Sequence, residues 1–301
     1  MPIFSVDDFD IFYISYDEPN CEENWARIQY LLPGAKRVHG VKGFDAAHTA
    51  VGERAQTERV FTIDGDNWVF DGLDYFSFTV PEEYENHMFS WAGYNNVNNL
   101  CYGNGGIKLW PTATLLNLNS HENAKDESGR VDFCWHWVWN QQDLALSETR
   151  INATPYQAFR AGFREGVKMS LNRGKKMTRE TFHGLNKHNM QRLRIWCSVG
   201  ADMRYGDWAI FGARMGTYKT NLTDWDHNLI ADYDWFESFW QEINEAYSEH
   251  DARQSAICDL GQQLYEGLHF LTADFTPAHS QFWKQNYVNP SRGGIIYPGQ
   301  V

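Results

Sequence analysis

Arg59-Val60-Phe61-Thr62-Ile63-Asp64-Gly65-Asp66-Asn67 is the stretch on which the reading of this chain turns. Most of Val60 to Asp64 suits a buried β-strand, and the run ends abruptly in two carboxylates separated by one glycine. A strand that delivers charge to the carboxyl edge of a sheet stands where open α/β folds bind ligands. Two Asp flanking a Gly can turn their oxygens to one side and hold a hard divalent cation such as Mg²⁺ or Mn²⁺. A plainer reading is a hairpin turn at Asp64-Gly65 joining Phe61-Thr62-Ile63 to Trp68-Val69-Phe70. A calcium loop starting at Asp64 is excluded, because Val69 and Tyr75 stand where it needs Gly and Glu.

Upstream, Asp10 to Tyr16 reads as a buried strand that stops at Asp17-Glu18-Pro19-Asn20. Glu22 to Leu32 has helical spacing, and Arg37 to Val41 can form a second strand. Asp45 is expected to cap a helix reaching about Gln56. This β-α-β-α-β order within 64 residues implies an α/β fold with a mostly parallel, Rossmann-like central sheet. Downstream, Tyr75 to Val80, Met88 to Tyr94, Ile107 to Trp110, Val131 to Trp139 and Leu144 to Ile151 read as further strands, with His121 to Arg130 as an exposed loop. Thr154-Pro155 signals a helix start and the only boundary candidate. A nucleotide-sugar core over 1–153 and a mainly helical region over 154–301 follow. Helices are expected at Tyr156 to Leu171, Thr178 to Trp196, Asp232 to Tyr247 and Ala252 to Leu271, with an irregular end from Thr276.

The 301 residues, 43% hydrophobic, suffice for one large domain. Cys21, Cys101, Cys134, Cys197 and Cys258 are scattered without a C-x-x-C pair, which fits reduced thiols in a cytosol. No apolar run approaches the roughly 20 residues of a membrane span, and the acidic N-terminus lacks a signal peptide's basic region. A soluble, intracellular protein without a membrane partner is expected. The net charge of −13 disfavours nucleic acid, but its distribution does not: Arg160 to Arg194 holds ten basic residues against Glu165 and Glu180. Arg160, Arg164, Lys168, Arg173, Lys175 and Lys176 are the candidate DNA-binding cations.

The chemistry expected of paired aspartates beside an acidic first turn is that of a sugar-nucleotide site. Tyr16 offers a face for a base, and Asp17 or Glu18 can accept an N–H from uracil. Asp64 and Asp66 would hold the metal under a diphosphate. His48, Gly105, Gly106 and Lys108 are further donor-site candidates. Glu148 and Asp132 are the candidate bases for an acceptor hydroxyl, and either could instead hold an arginine. A third metal ligand could be His136, His183 or His227. Without a phosphate-loop or dinucleotide glycine motif, triphosphate hydrolysis and nicotinamide redox chemistry lose support.

Tyr16-Asp17-Glu18, Ala47-His48, Phe61 to Asn67, Tyr102 to Leu109, Ser147-Glu148-Thr149 and Thr154 to Glu165 together resemble the phage-encoded GT-A-type glycosyltransferases associated with TET-like DNA hydroxylases. The resemblance covers roughly residues 10 to 235. It implies a GT-A-like fold, a divalent metal, a UDP-sugar donor and 5-hydroxymethylcytosine in duplex phage DNA as acceptor, arabinose being one transferred sugar. It also implies the infected host's cytoplasm as location. A GT-A enzyme acting on glycan or protein, and a non-enzymatic DNA-binding protein, are the rival readings.

Overall fold

The computed structural model describes residues 3–80, 82–84, 87–102, 106–118, 120 and 139–286. Its first half follows the expected alternation. Strand β1 (Ile3–Ser5) precedes β2 (Asp10–Ser15), α1 (Cys21–Leu31), β3 (Lys36–His39), α2 (Phe44–Arg54) and β4 (Arg59–Asp64). β2 pairs in parallel with β3 on one side and β4 on the other. Period-2 alternation gives β4 two buried faces. Phe61 and Ile63 join Ile28 of α1, whereas Val60 packs with Val51 of α2, so the helices cover opposite sides. Asp45 is not the cap of α2. Gly43 takes that position at φ 102°, and the Asp45 carboxylate accepts the Ser120 N–H at 3.0 Å.

Past β4 the expectation of a mostly parallel, Rossmann-like sheet is corrected. Strands β5 (Asn67–Val69), β6 (Ser77–Thr79), β7 (Met88–Asn95), β8 (Cys101–Tyr102), β9 (Ile107–Pro111) and β10 (Trp139–Thr149) follow, with the short helix α3 (Thr112–Leu115) directly after β9. The sheet order is β3-β2-β4-β9-β7-β10-β5, with β8 beside β7, and β1 pairs separately with β6. β9 is antiparallel to both β4 and β7, and β5 is antiparallel to β10; β7 and β10 are parallel. Among the described residues no crossover helix separates β7 from β9, and the connection returns the chain antiparallel, so the sheet is mixed. The expected strand at Val131 to Trp139 and the loop at His121 to Arg130 lie outside the described residues, apart from Trp139 at the start of β10.

Thr154 and Pro155 open α4 (Pro155–Ser170) as expected: the Thr154 hydroxyl accepts the Gln157 N–H at 3.1 Å. Phe159, Phe163 and Val167 are fully buried. The helices that follow are α5 (Lys187–Trp196), α6 (Gly206–Leu222), α7 (Tyr233–Tyr247), α8 (His250–Leu268) and α9 (Pro277–Asn286). α5 starts at Lys187 rather than Thr178, because Asn186 caps it and a short 3-10 turn precedes it. The end expected to be irregular from Thr276 is helical over Pro277–Asn286, and its remainder lies outside the described residues. α6 has no counterpart among the individually expected helices, and it carries Gly206, Gly212 and Gly216. In the fold they are contact points. A Cβ on Gly162 or Gly166 would fall 2.0 or 2.2 Å from the Ala209 or Ala213 carbonyl oxygen, and one on Gly212 or Gly216 would meet Phe159 or Phe163 oxygen at 2.2 or 2.3 Å. The backbones of α4 and α6 therefore touch. Beside them the fully buried Arg214 donates to the Cys197, Ile257 and Ala273 carbonyls.

Gly166→Ala is expected to lower stability by about 1–3 kcal/mol through overpacking, while Gly34→Ala, with nothing within 4 Å of its Cβ, should be near neutral. Thermal unfolding of both variants checks this, and equal melting temperatures would contradict the contact.

Candidate functional site

The Asp64-Gly65 turn is not a hairpin. β4 is flanked by β2 and β9, and β5 pairs with β10, so the chain leaves β4 at Asp64 and crosses to another part of the sheet. The Gly65 carbonyl accepts the Tyr13 hydroxyl at 2.6 Å and the Asn24 amide at 3.0 Å. A Cβ on Gly65 would lie 2.6 Å from the Glu18 carboxyl. The acidic end of β2 and the acidic end of β4 thus meet. Glu18 also accepts the Tyr16 N–H at 2.8 Å, which leaves the Tyr16 ring 40% exposed and Asp17 exposed at the edge.

Asn67, 1% exposed, organises the turn from inside. Its Nδ2 donates to Asp66 Oδ1 at 2.7 Å, and its Oδ1 accepts from the Gly106 N–H at 3.3 Å and the Ser147 hydroxyl at 2.7 Å. Gly106 is needed for this approach: a Cβ there would stand 2.0 Å from Asn67 Nδ2. The Gly106 carbonyl in turn accepts the Asp64 N–H at 2.9 Å, and Asp66 O accepts the Arg150 N–H at 2.8 Å. Asn67 and Arg150 are positioning residues that the candidate set omits. Asn67 directly follows the acidic motif, and that adjacency is the only signal it leaves in the sequence.

Charge in the turn is unevenly balanced. Lys108, 3% exposed on its side chain, pairs with Asp64 at 2.8 Å. Burial, then the charges of Asp64 and Glu18, push the Asp66 carboxyl up to about 7. Burial also raises Glu18, with Asp17 and Asp64 adding to it. His48 is buried on α2 with Nδ1 on the Phe44 carbonyl at 2.9 Å and its ring stacked on Phe44. Burial pushes it down to about 4, so it is neutral at pH 7. Among the described residues no group of three or more His, Cys, Asp and Glu side chains is arranged to hold a metal ion.

Glu148 holds Arg150 at 2.9 Å, on the face of β10 opposite Ser147 and Thr149. The Arg150 guanidinium also lies 3.9 Å over the Trp68 ring. Asp132, Gly105 and His136 lie outside the described residues. His183 sits in the 3-10 turn before α5, and His227 lines a cleft of about 440 Å³ with Lys175, Lys176, Asp224 and Asp226. That cleft follows the far end of α4, whose 16 residues span about 24 Å. Neither histidine joins the acidic residues in a metal-holding group among the described residues. Arg160, Arg164 and Lys168 are half-buried along α4, and Lys168 pairs with Glu165 at 3.5 Å. Arg173 and Lys175 are exposed, while Lys176 donates to the Thr223 and Trp225 carbonyls. Asp224 and Asp226 offset part of the positive charge of this loop.

No family model matches the chain, and no curated protein matches it. Among the described residues no helix is long and apolar enough to cross a membrane.

Because folding raises the Asp66 value from 3.8 to about 7, the folded state binds the extra proton between those limits. Its contribution to stability therefore falls as pH rises from about 4 through 7. In metal-free buffer, Asp66→Asn should melt above wild type at pH 8 by roughly 10 °C, on the order of 4 kcal/mol for a carboxyl raised from 3.8 to about 7. The gap should close toward pH 4; a pH-independent gap would contradict the assignment.

Proposed function

We infer that the chain is a metal-dependent glycosyltransferase with a GT-A-like fold. The proposed reaction moves arabinose or another pentose or hexose from a UDP-sugar to 5-hydroxymethylcytosine in phage DNA. The observation that carries this reading is the meeting of Glu18, Asp64 and Asp66 at the carboxyl ends of the adjacent parallel strands β2 and β4. The three are not arranged as a complete metal site, but one or two of their carboxylates, crowded with anions, suit a hard cation. Mg²⁺ commonly takes one or two carboxylates and completes its shell with substrate phosphates, which suits a turn where Lys108 already engages Asp64. Mn²⁺ is the alternative ion.

When bound, the cation would offset charge developing on the departing diphosphate. The chain's own residues do the rest. Asn67 and the Gly106 backbone orient the two aspartates, and Tyr16 offers an exposed ring for the uracil, with Asp17 or Glu18 as acceptor for its N–H. The bond from the anomeric carbon to the diphosphate breaks, its electron pair passing to the diphosphate oxygen. The hydroxymethyl oxygen bonds to that carbon as its proton passes to a carboxylate, for which Glu148 and Asp132 are the candidates. The acceptor assignment rests on the family resemblance and on the cations of α4 and the loop beyond it. A base in a duplex would have to leave the stack to reach the turn.

Nucleoside mass spectrometry of hydroxymethylated and unmodified duplexes, incubated with the protein, Mn²⁺ and a panel of UDP-sugars, tests this. A sugar-bearing nucleoside is expected only from the hydroxymethylated duplex. Asp66→Asn should slow its formation by roughly 100-fold or more, the scale of losing one group that stabilises developing charge. Product from neither duplex would count against the reading.

A further inference from the structure

Arg160 differs from the other cations of its helix. Lys168 is engaged by Glu165, and Arg164 has contacts of its own. Arg160 makes no hydrogen bond or ion pair among the described residues, and its Nε is buried without a partner. What holds it is aromatic: its guanidinium carbon lies 4.8 Å from the Tyr233 ring centre and 5.7 Å from that of Phe236. A planar guanidinium kept against rings retains its fork of donors and loses little freedom when an anion arrives.

Its place in the fold matters as much as its freedom. Gln157, three residues earlier on α4, donates through Nε2 to the Arg150 carbonyl at 3.2 Å and to Asn20 Oδ1 at 3.3 Å. Arg150 is the residue whose N–H reaches Asp66. Arg160 therefore stands about one helical turn, roughly 5 Å of rise, from the point where α4 docks on the acidic turn. Across from it, Lys42 pairs with Asp234 at 3.2 Å, tying the loop after β3 to the start of α7 beside Tyr233. Tyr233, 38% exposed, adjoins that Asp234, and Tyr16, 40% exposed, lies near enough to act on the Lys42 charge.

We propose that Arg160, clamped by Tyr233 and Phe236, binds a phosphate at the rim of the acidic turn, and that this phosphate is the phosphodiester flanking the acceptor nucleotide of a DNA strand. This deepens the glycosyltransferase reading and rests on it for the identity of the strand. The donor's diphosphate carries the same chemistry, so the experiment separates the two sources. The more distant cations Arg173 and Lys175 would then meet phosphates farther along the strand.

The test measures binding of a fluorescent hydroxymethylated duplex without donor or metal, across a salt series, and binding of UDP with Mn²⁺ without DNA. Wild type, Arg160→Gln and Tyr233→Leu are compared, with thermal unfolding confirming that each is folded. Arg160→Gln is expected to weaken DNA binding about tenfold and to reduce the log-log salt slope by about 0.9, one phosphate contact. Tyr233→Leu should weaken binding while leaving the slope unchanged, because the charge stays and only its clamp is lost. Both should bind UDP with Mn²⁺ as wild type does. An unchanged DNA affinity and slope in Arg160→Gln, a loss confined to UDP, or no DNA binding by wild type each overturns the proposal. Transfer assays on the same proteins separate the two claims. Transfer that persists with Arg160 irrelevant to DNA leaves the glycosyltransferase reading standing alone. Arg160-dependent DNA binding without transfer of any sugar leaves only the phosphate contact.

Discussion

A single buried carboxamide joins the parts of the sheet that would otherwise diverge. Asn67 follows the strand that ends in Asp64, yet its hydrogen bonds run to Asp66, to the start of β9 at Gly106 and to β10 at Ser147. An amide with every partner inside the protein is favourable. The same amide with one partner removed carries a desolvation cost of about 1–3 kcal/mol. The turn's geometry is therefore specified by groups far apart in sequence. Gly106 has no side chain because the amide occupies the space a Cβ would need.

The helical body reaches this joint by two routes. Gln157 grips the Arg150 carbonyl, and Arg150 grips Asp66 through its backbone, so the first turn of α4 is anchored to the acidic end of the sheet. Behind it, α4 lies in backbone contact with α6 through facing glycines, which holds α4 in register with the helical core. Val97 and Leu100, just past β7, belong to that same core. Helix and sheet are thus coupled both at the acidic turn and beyond the end of β7.

Local pattern carried the reading where local physics decides the structure. The first three parallel strands, the capped start of α4 and the buried stripe Phe159, Phe163 and Val167 follow from alternation, cap chemistry and helical spacing. Strand direction beyond β4 did not follow, because pairing partners are chosen at long range, and β9 slots between β4 and β7 with no residue announcing it. The glycines of α6 are a related case. Alone they weaken a helix, and only the facing glycines of α4 convert them into a contact. At the turn, Asp64 and Asp66 were legible as a pair, but the capture of Asp64 by Lys108 depends on which strands become neighbours, whereas the Glu148–Arg150 pair is local, its partners two residues apart. The basic run from Arg160 to Arg194 reads as one surface in sequence, whereas in space its members are spread along α4 and beyond, some already engaged.

The account stands on carboxylates brought together to share a cation with a diphosphate. Calorimetric titration of Mn²⁺ into metal-free protein, with and without UDP, tests that most directly, using wild type beside Asp66→Asn. UDP should tighten Mn²⁺ binding to wild type by about tenfold or more, a coupling of about 1.4 kcal/mol, and the tightening should vanish in the variant. Mn²⁺ binding that ignores UDP, or that survives unchanged without the Asp66 carboxylate, would contradict the account.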